Sequence, residues 1–116
     1  MEQGRREDST TVVKERALLV ACLINGHHAD PQNPLGELHS LADTAGAIVV
    51  GELMQNKHKP DAGTFIGKGK VHELAEMVKA RDVQVIIFDN DLSPAQIGNI
   101  EEIVGVKVID LSLIHI

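Results

Sequence analysis

Four runs of apolar residues, separated by three stretches with helical spacing, constrain the fold of this 116-residue chain most strongly. The runs are rich in valine and isoleucine and mostly lack alternation between apolar and polar residues, which is typical of strands covered on both faces of a parallel sheet. They comprise residues 17–24, 47–53, 83–88 and 106–109. We therefore predict four strands.

Helix signals fill the stretches between these runs. The spacing of leucine, valine and alanine predicts one helix over 34–45 and a second over 69–81. Ser93, Pro94 and Gln96 supply the N-cap, the first-turn proline and the capping-box glutamine of a third helix. The order β-α-β-α-β-α-β predicts an α/β fold with a four-stranded, mostly parallel sheet and three crossover helices on its faces.

Composition limits the classes of protein that remain possible. With 43% hydrophobic residues the chain suits one domain, which we place at 16–110, preceded by a flexible polar arm at 1–15. The longest apolar run has eight residues, too few to cross a bilayer, and contains the single cysteine, Cys22. These features favour a cytoplasmic protein with a buried thiol. Phe65 and Phe88 are the only aromatic residues, so any nucleic acid would be contacted through its backbone rather than by base stacking.

Residues 55–70, QNKHKPDAGTFIGKGK, concentrate positive charge in an otherwise acidic chain. They include four lysines against one aspartate, a formal charge of +3, whereas the whole chain carries −6. The segment leads into the N-terminus of the second predicted helix, at the carboxyl edge of the sheet, where glycine and helix N–H groups favour anions. We predict a phosphate-binding site; its candidate residues are Lys57, Lys59, Gly67, Lys68, Gly69 and Lys70. A surface loop with solvated lysines would give the same pattern, and the spacing is not that of a Walker A loop.

Two other clusters of polar residues favour ordinary structural roles. The sequence 89–91, Asp-Asn-Asp, could hold Mg²⁺, but it is better explained as a turn before the Ser93 cap. His27 and His28 with Asp30 suggest zinc, yet a full tetrahedral ligand set is missing. We therefore predict no metal ion, no catalytic residues and no cofactor for this chain.

Several phrases of the sequence together resemble one known family. They are LADTAGA at 41–47, TFIGKGK at 64–70, and FDNDLSPAQ at 88–96 followed by Asn99 and Glu101. In order and spacing they are similar to the N-terminal domain of HflX, the ribosome-associated GTPase family, over about 15–110. The resemblance implies an α/β domain that docks on the large ribosomal subunit near the peptidyl transferase region and contacts rRNA. It also implies a GTP-hydrolysing G domain, absent from this chain, which would bind GTP and Mg²⁺ and act in ribosome dissociation or rescue.

The resemblance also bears on individual residues and partners. It supports a binding role for residues 67–70, with Lys57 and Lys59 as a basic approach. Gly98 stands where an arginine is common, which weakens any claim that its helix contacts RNA. Residues 111–116 depart from the family pattern and are interpreted as a truncated or non-native tail. The expected partners are the large ribosomal subunit and the G domain of the same protein, with the chain itself a monomer.

Two other functions stay open at this point. One is a small ATP- or GTP-binding enzyme that uses the same loop for phosphate, with Asp89, Asp91 and Asp110 as its available metal-holding carboxylates. The other is a regulatory module that contacts the G domain, in which case the charge of the loop is incidental.

Overall fold

The computed structural model of the protein describes residues 15–27 and 32–110. Its elements are β1 (Arg16–Ile24), α1 (Gly36–Thr44), β2 (Ile48–Lys57), α2 (Lys68–Arg81), β3 (Val85–Phe88), α3 (Pro94–Val104) and β4 (Lys107–Asp110). This order and the parallel pairing of all four strands confirm the predicted α/β fold. The predicted N-terminal arm, apart from Glu15, and the predicted tail at 111–116 lie outside the described residues.

The sheet has the strand order β2-β1-β3-β4, so β1 and β3 occupy its centre. Both central strands are buried on both faces, as their continuous apolar runs predict. β2 is an edge strand in which only Leu53 is buried. It also runs four residues past the predicted end at Leu53, because the polar residues up to Lys57 continue to pair with β1. Polar side chains are tolerated there because an edge strand is partly open to water.

Two apolar layers, one on each face of the sheet, hold the helices. On one face Leu18, Val20 and Phe88 pack in a single cluster with Leu74 of α2 and Ile100 of α3. On the other face, alternate residues of the same strands, including Leu19 and Ile87, pack with Leu38 and Ala42 of α1. The alternation of side chains along β1 thus places α2 and α3 together on one side of the sheet and α1 on the other.

The start of α3 has the predicted capping box. The Ser93 hydroxyl accepts from the Gln96 backbone N–H (3.1 Å), and the Gln96 side-chain oxygen accepts from the Ser93 N–H (2.9 Å). The helix ends at Gly105, whose φ of 79° lies in the left-handed region that glycine adopts without strain. None of the helices in the described part of the chain is long and apolar enough to cross a membrane.

Candidate functional site

The N-terminus of α2 is the part of the predicted site that the structure defines best. Gly67 is the N-cap, and Lys68, Gly69 and Lys70 form the first turn, which contains no acidic residue. In any helix the N–H groups of the first turn have no intrahelical acceptor and carry the positive end of the helix dipole. An added Cβ at Gly69 would meet nothing within 4 Å, so the space beside Gly69 is open. The arrangement is suited to an anion.

The two lysines of the first turn differ in their surroundings. Lys68 is exposed, whereas the Lys70 ammonium lies 3.1 Å from Glu73 Oε1 in an i,i+3 ion pair. Such surface pairs contribute about 0–1 kcal/mol, so Glu73 competes only weakly with a phosphate for Lys70. The helix start therefore presents two cations beside its free N–H groups.

Lys57 and Lys59 belong to a different group of residues. Lys57 is the last residue of β2, and its carbonyl accepts from the Asn25 N–H (2.6 Å). With Asn25, Gly26, Asn56 and His58 it lines an open depression of about 360 Å³. Lys59 is exposed in the turn that follows. The six predicted residues thus lie in two groups, one at the end of β2 and one at the start of α2, and no hydrogen bond between the groups is seen in the described ranges.

The thiol beside the end of β2 is a structural one. Cys22 is buried in β1, and this burial raises the pKa of its thiol, although the positive charge of Lys57 acts in the opposite direction. A raised pKa keeps the sulfur protonated and disfavours a role as nucleophile. The predicted buried thiol is confirmed.

The loop between the two groups is held closed by its own backbone. The N–H of Asp61 donates to the Phe65 carbonyl (2.8 Å), and the N–H of Phe65 donates to the Asp61 carbonyl (2.9 Å). The Asp61 carboxylate accepts from the N–H groups of Gly63 (2.9 Å) and Thr64 (3.3 Å). These backbone bonds, with a smaller contribution from the charge of Lys68, hold the pKa of Asp61 below its ordinary value. Phe65 adopts a φ of 65°, which is uncommon for a non-glycine residue.

Three glutamine and asparagine side chains attach this loop to the rest of the domain. Gln55 of β2 accepts from the Gly67 N–H (2.9 Å). Gln96 of α3 donates to the carbonyls at positions 61 (3.2 Å) and 62 (3.3 Å), and Asn99 donates to the Gly63 carbonyl (2.9 Å). Sequence reasoning missed these contacts. It assigned Gln96 only to the capping box, and no periodic pattern links residues 35 positions apart.

The crevice between β1 and β3, where the direction of strand order reverses, is the usual ligand position of such folds. Here the Asn90 side chain lies against β1: its oxygen accepts from the Cys22 N–H and its amide donates to the Cys22 carbonyl, both at 2.9 Å. Nearby, the buried Asp110 carboxylate accepts from the Leu92 N–H (3.0 Å). These bonds support the interpretation of 89–91 as a turn.

Within 15–27 and 32–110 no group of three or more histidine, cysteine or acidic side chains is arranged to hold a metal ion. The Asn90 side chain at the β1–β3 crevice is engaged in its two hydrogen bonds with the Cys22 backbone. The suggested zinc ligands His28 and Asp30 lie outside the described residues.

A turn that the sequence could have predicted follows β1. Asn25 and Gly26 both have positive φ, 55° and 75°, and the His27 N–H donates to the Ile24 carbonyl (3.0 Å), as in a type I′ turn. Asn-Gly is the strongest sequence signal for this turn. It directs the chain back at the rim of the depression that Lys57 lines.

Comparison with known proteins agrees with this architecture. Residues 32–114 match the family described as GTP-binding GTPase N-terminal. The chain belongs to this family. It is 37% identical to the GTPase HflX of Lacrimispora saccharolytica over 88% of this chain and 24% of that protein. It is 40% identical to the GTPase HflX of Caldanaerobacter subterraneus over 84% of this chain and 22% of that protein.

These matches confirm the resemblance to the HflX N-terminal domain. The chain spans about a quarter of the length of the relatives named above. A similar fold occurs in the crystal structure of a variant of SsGBP, with a TM-score of 0.61 and 16% identity over 85% of this chain and 30% of that one. At that identity the likeness concerns the fold alone.

Proposed function

We propose that this chain is a ribosome-binding module of an HflX-like GTPase, which contacts phosphates of rRNA in the large subunit through the N-terminus of α2. One observation carries the proposal: a 14-residue helix begins at Lys68 with glycine and lysine in its open first turn, in a chain of net charge −6. The helix dipole and the free N–H groups favour an anion, and the lysines add salt-dependent attraction.

The rest of the surface supports local rather than general attraction to RNA. Residues outside 55–70 carry an excess of acidic groups, so a polyanion is attracted at one place and repelled elsewhere. Lys57 and Lys59 at the end of β2 provide a second, weaker basic contact. In this proposal the domain acts in the cytoplasm as a monomer, catalyses no reaction, and serves ribosome dissociation or rescue through a G domain that binds GTP and Mg²⁺.

Binding to purified large ribosomal subunits at several salt concentrations tests the proposal. The variant Lys68→Ala/Lys70→Ala should weaken binding about tenfold or more and should reduce the slope of log K against log salt by one to two units, because up to about two phosphate contacts are lost. The matched control is Lys79→Ala/Lys107→Ala, which removes the same charge from two exposed lysines elsewhere.

Two outcomes would contradict the proposal. One is an equal loss of binding in both double variants, which would mean that only net charge matters. The other is binding by the unaltered chain that does not depend on salt. Micromolar retention of nucleotide by this chain in equilibrium dialysis with Mg²⁺ would instead favour a nucleotide-binding domain.

A further inference from the structure

The loop that precedes α2 directs its carbonyl groups toward α3. The carbonyls at positions 61 and 62 accept from the Gln96 amide, and the Gly63 carbonyl accepts from the Asn99 amide. The Asp61 carboxylate is occupied by two backbone N–H groups of the same loop. The carbonyl oxygens of this loop and the Asp61 carboxylate therefore accept hydrogen bonds within the domain. They lie next to the start of α2, which presents N–H groups and lysines.

The contacts to α3 lie only a few residues from the N-cap of α2. After Gly63, the Thr64 hydroxyl donates to the Ile66 carbonyl (2.7 Å), and both side chains are buried. Gly67 then donates its N–H to Gln55. The backbone between Gly63 and Gly67 is thus held by hydrogen bonds, and we expect a change at the α3 contacts to alter the first turn of α2.

We propose that Gln96 and Asn99 are positioning residues of the phosphate site: they hold the loop against α3, so that the Lys68–Lys70 turn is already oriented before RNA arrives. This inference rests on the function proposed above. Ordering a loop on binding costs free energy, and a loop that is ordered beforehand avoids that cost. The amides also keep three carbonyl oxygens from turning toward the phosphate.

The two roles of Gln96 can be separated by one substitution. Its side-chain oxygen accepts the Ser93 N–H in the capping box, whereas its side-chain amide donates to the loop. Gln96→Glu keeps the acceptor, since glutamate is a standard capping-box residue, but removes the donor. Ala95→Glu adds the same charge at the exposed neighbouring position and is the matched control. Asn99→Leu removes the second donor without any change of charge.

The experiment measures amide hydrogen exchange and binding of the whole chain to large ribosomal subunits. In Gln96→Glu and Asn99→Leu the Phe65 amide should exchange about fivefold faster or more, the factor that corresponds to one net hydrogen bond. Subunit binding should weaken by a similar factor. The slope of log K against log salt should become smaller, because the two lysines no longer contact their phosphates at the same time. Ala95→Glu should leave Phe65 exchange unchanged and should keep the wild-type salt slope.

The salt slope distinguishes positioning from a loss of folded protein. A smaller folded fraction lowers binding by one factor at every salt concentration and leaves the slope unchanged. The inference would be overturned if the Phe65 amide exchanged at the wild-type rate in both Gln96→Glu and Asn99→Leu. It would also be overturned if exchange became faster while subunit binding and its salt dependence stayed at the wild-type values. Wild-type chain that does not bind the subunit would refute the proposed function itself, and this inference with it.

Discussion

Replacing Asn90 by alanine should destabilise the whole domain, because the side chain completes the backbone pairing of β1 beyond the end of β3. Its amide makes two hydrogen bonds of 2.9 Å with the backbone N–H and C=O of Cys22, a residue that is 3% exposed. Alanine would leave both buried backbone groups without these partners. Each lost bond costs roughly 1–2 kcal/mol when the remaining group stays buried, so the free energy of unfolding should fall by about 2–4 kcal/mol.

Urea denaturation measures this loss directly. With an m-value of about 2 kcal/mol/M, the middle of the usual range for a small domain, the midpoint should fall by about 1–2 M at unchanged m. Asn90→Asp keeps an acceptor for the Cys22 N–H but sets an oxygen against the Cys22 carbonyl, so it should also destabilise. Asp91→Ala is the control, because this exposed neighbour should change the free energy by less than about 0.5 kcal/mol. Equal midpoints for Asn90→Ala and Asp91→Ala would refute the reasoning.

Two further predictions concern the cap of α3 and the loop before α2. Ser93→Ala removes the acceptor for the Gln96 N–H and should cost about 1 kcal/mol, measured by urea denaturation; no change would show that the capping box contributes nothing to stability. Because the folded-state pKa of Asp61 is depressed, its contribution to loop order is present above the ordinary aspartate pKa and is lost as pH falls through the depressed value. The NMR chemical shift of the Gly63 amide should change with pH as Asp61 titrates. A Gly63 shift that does not depend on Asp61 ionisation would contradict the hydrogen bond from the Gly63 N–H to the Asp61 carboxylate.

The parts of the fold that the sequence predicts are those that depend on local pattern. The central strands are continuous apolar runs, and the start of α3 is encoded within four residues, from Ser93 to Gln96. The predicted end of β2, at residue 53, was wrong. Gln55 and Lys57 are polar residues typical of loops, but pairing with β1 keeps them in an edge strand. That difference arises from a tertiary contact, which no local pattern records.

The candidate site was predicted less completely for the same physical reason. Glycine, lysine and helix spacing locate the start of α2 correctly, since each of these signals is local. The bonds from Gln96 and Asn99 to the loop join residues about 35 positions apart and depend on α3 lying beside that loop. The sequence singles out Gln96 for the capping box and Asn99 for the family resemblance, but neither signal predicts a contact with the loop.

The fold has two positions at which a ligand could be expected, the β1–β3 crevice and the start of α2. They differ in the contacts that surround them. At the crevice between β1 and β3 the Asn90 side chain makes two hydrogen bonds to the Cys22 backbone, and a ligand that took the place of this side chain would have to replace both bonds. At the start of α2, Lys68 and Gly69 are exposed, and an added Cβ at Gly69 would meet nothing within 4 Å. An open, cationic helix start favours phosphate without enclosing a base, and the two aromatic residues of the chain, Phe65 and Phe88, are partly and fully buried in the core. For this reason we propose an RNA backbone, rather than a free nucleotide, as the ligand of this site.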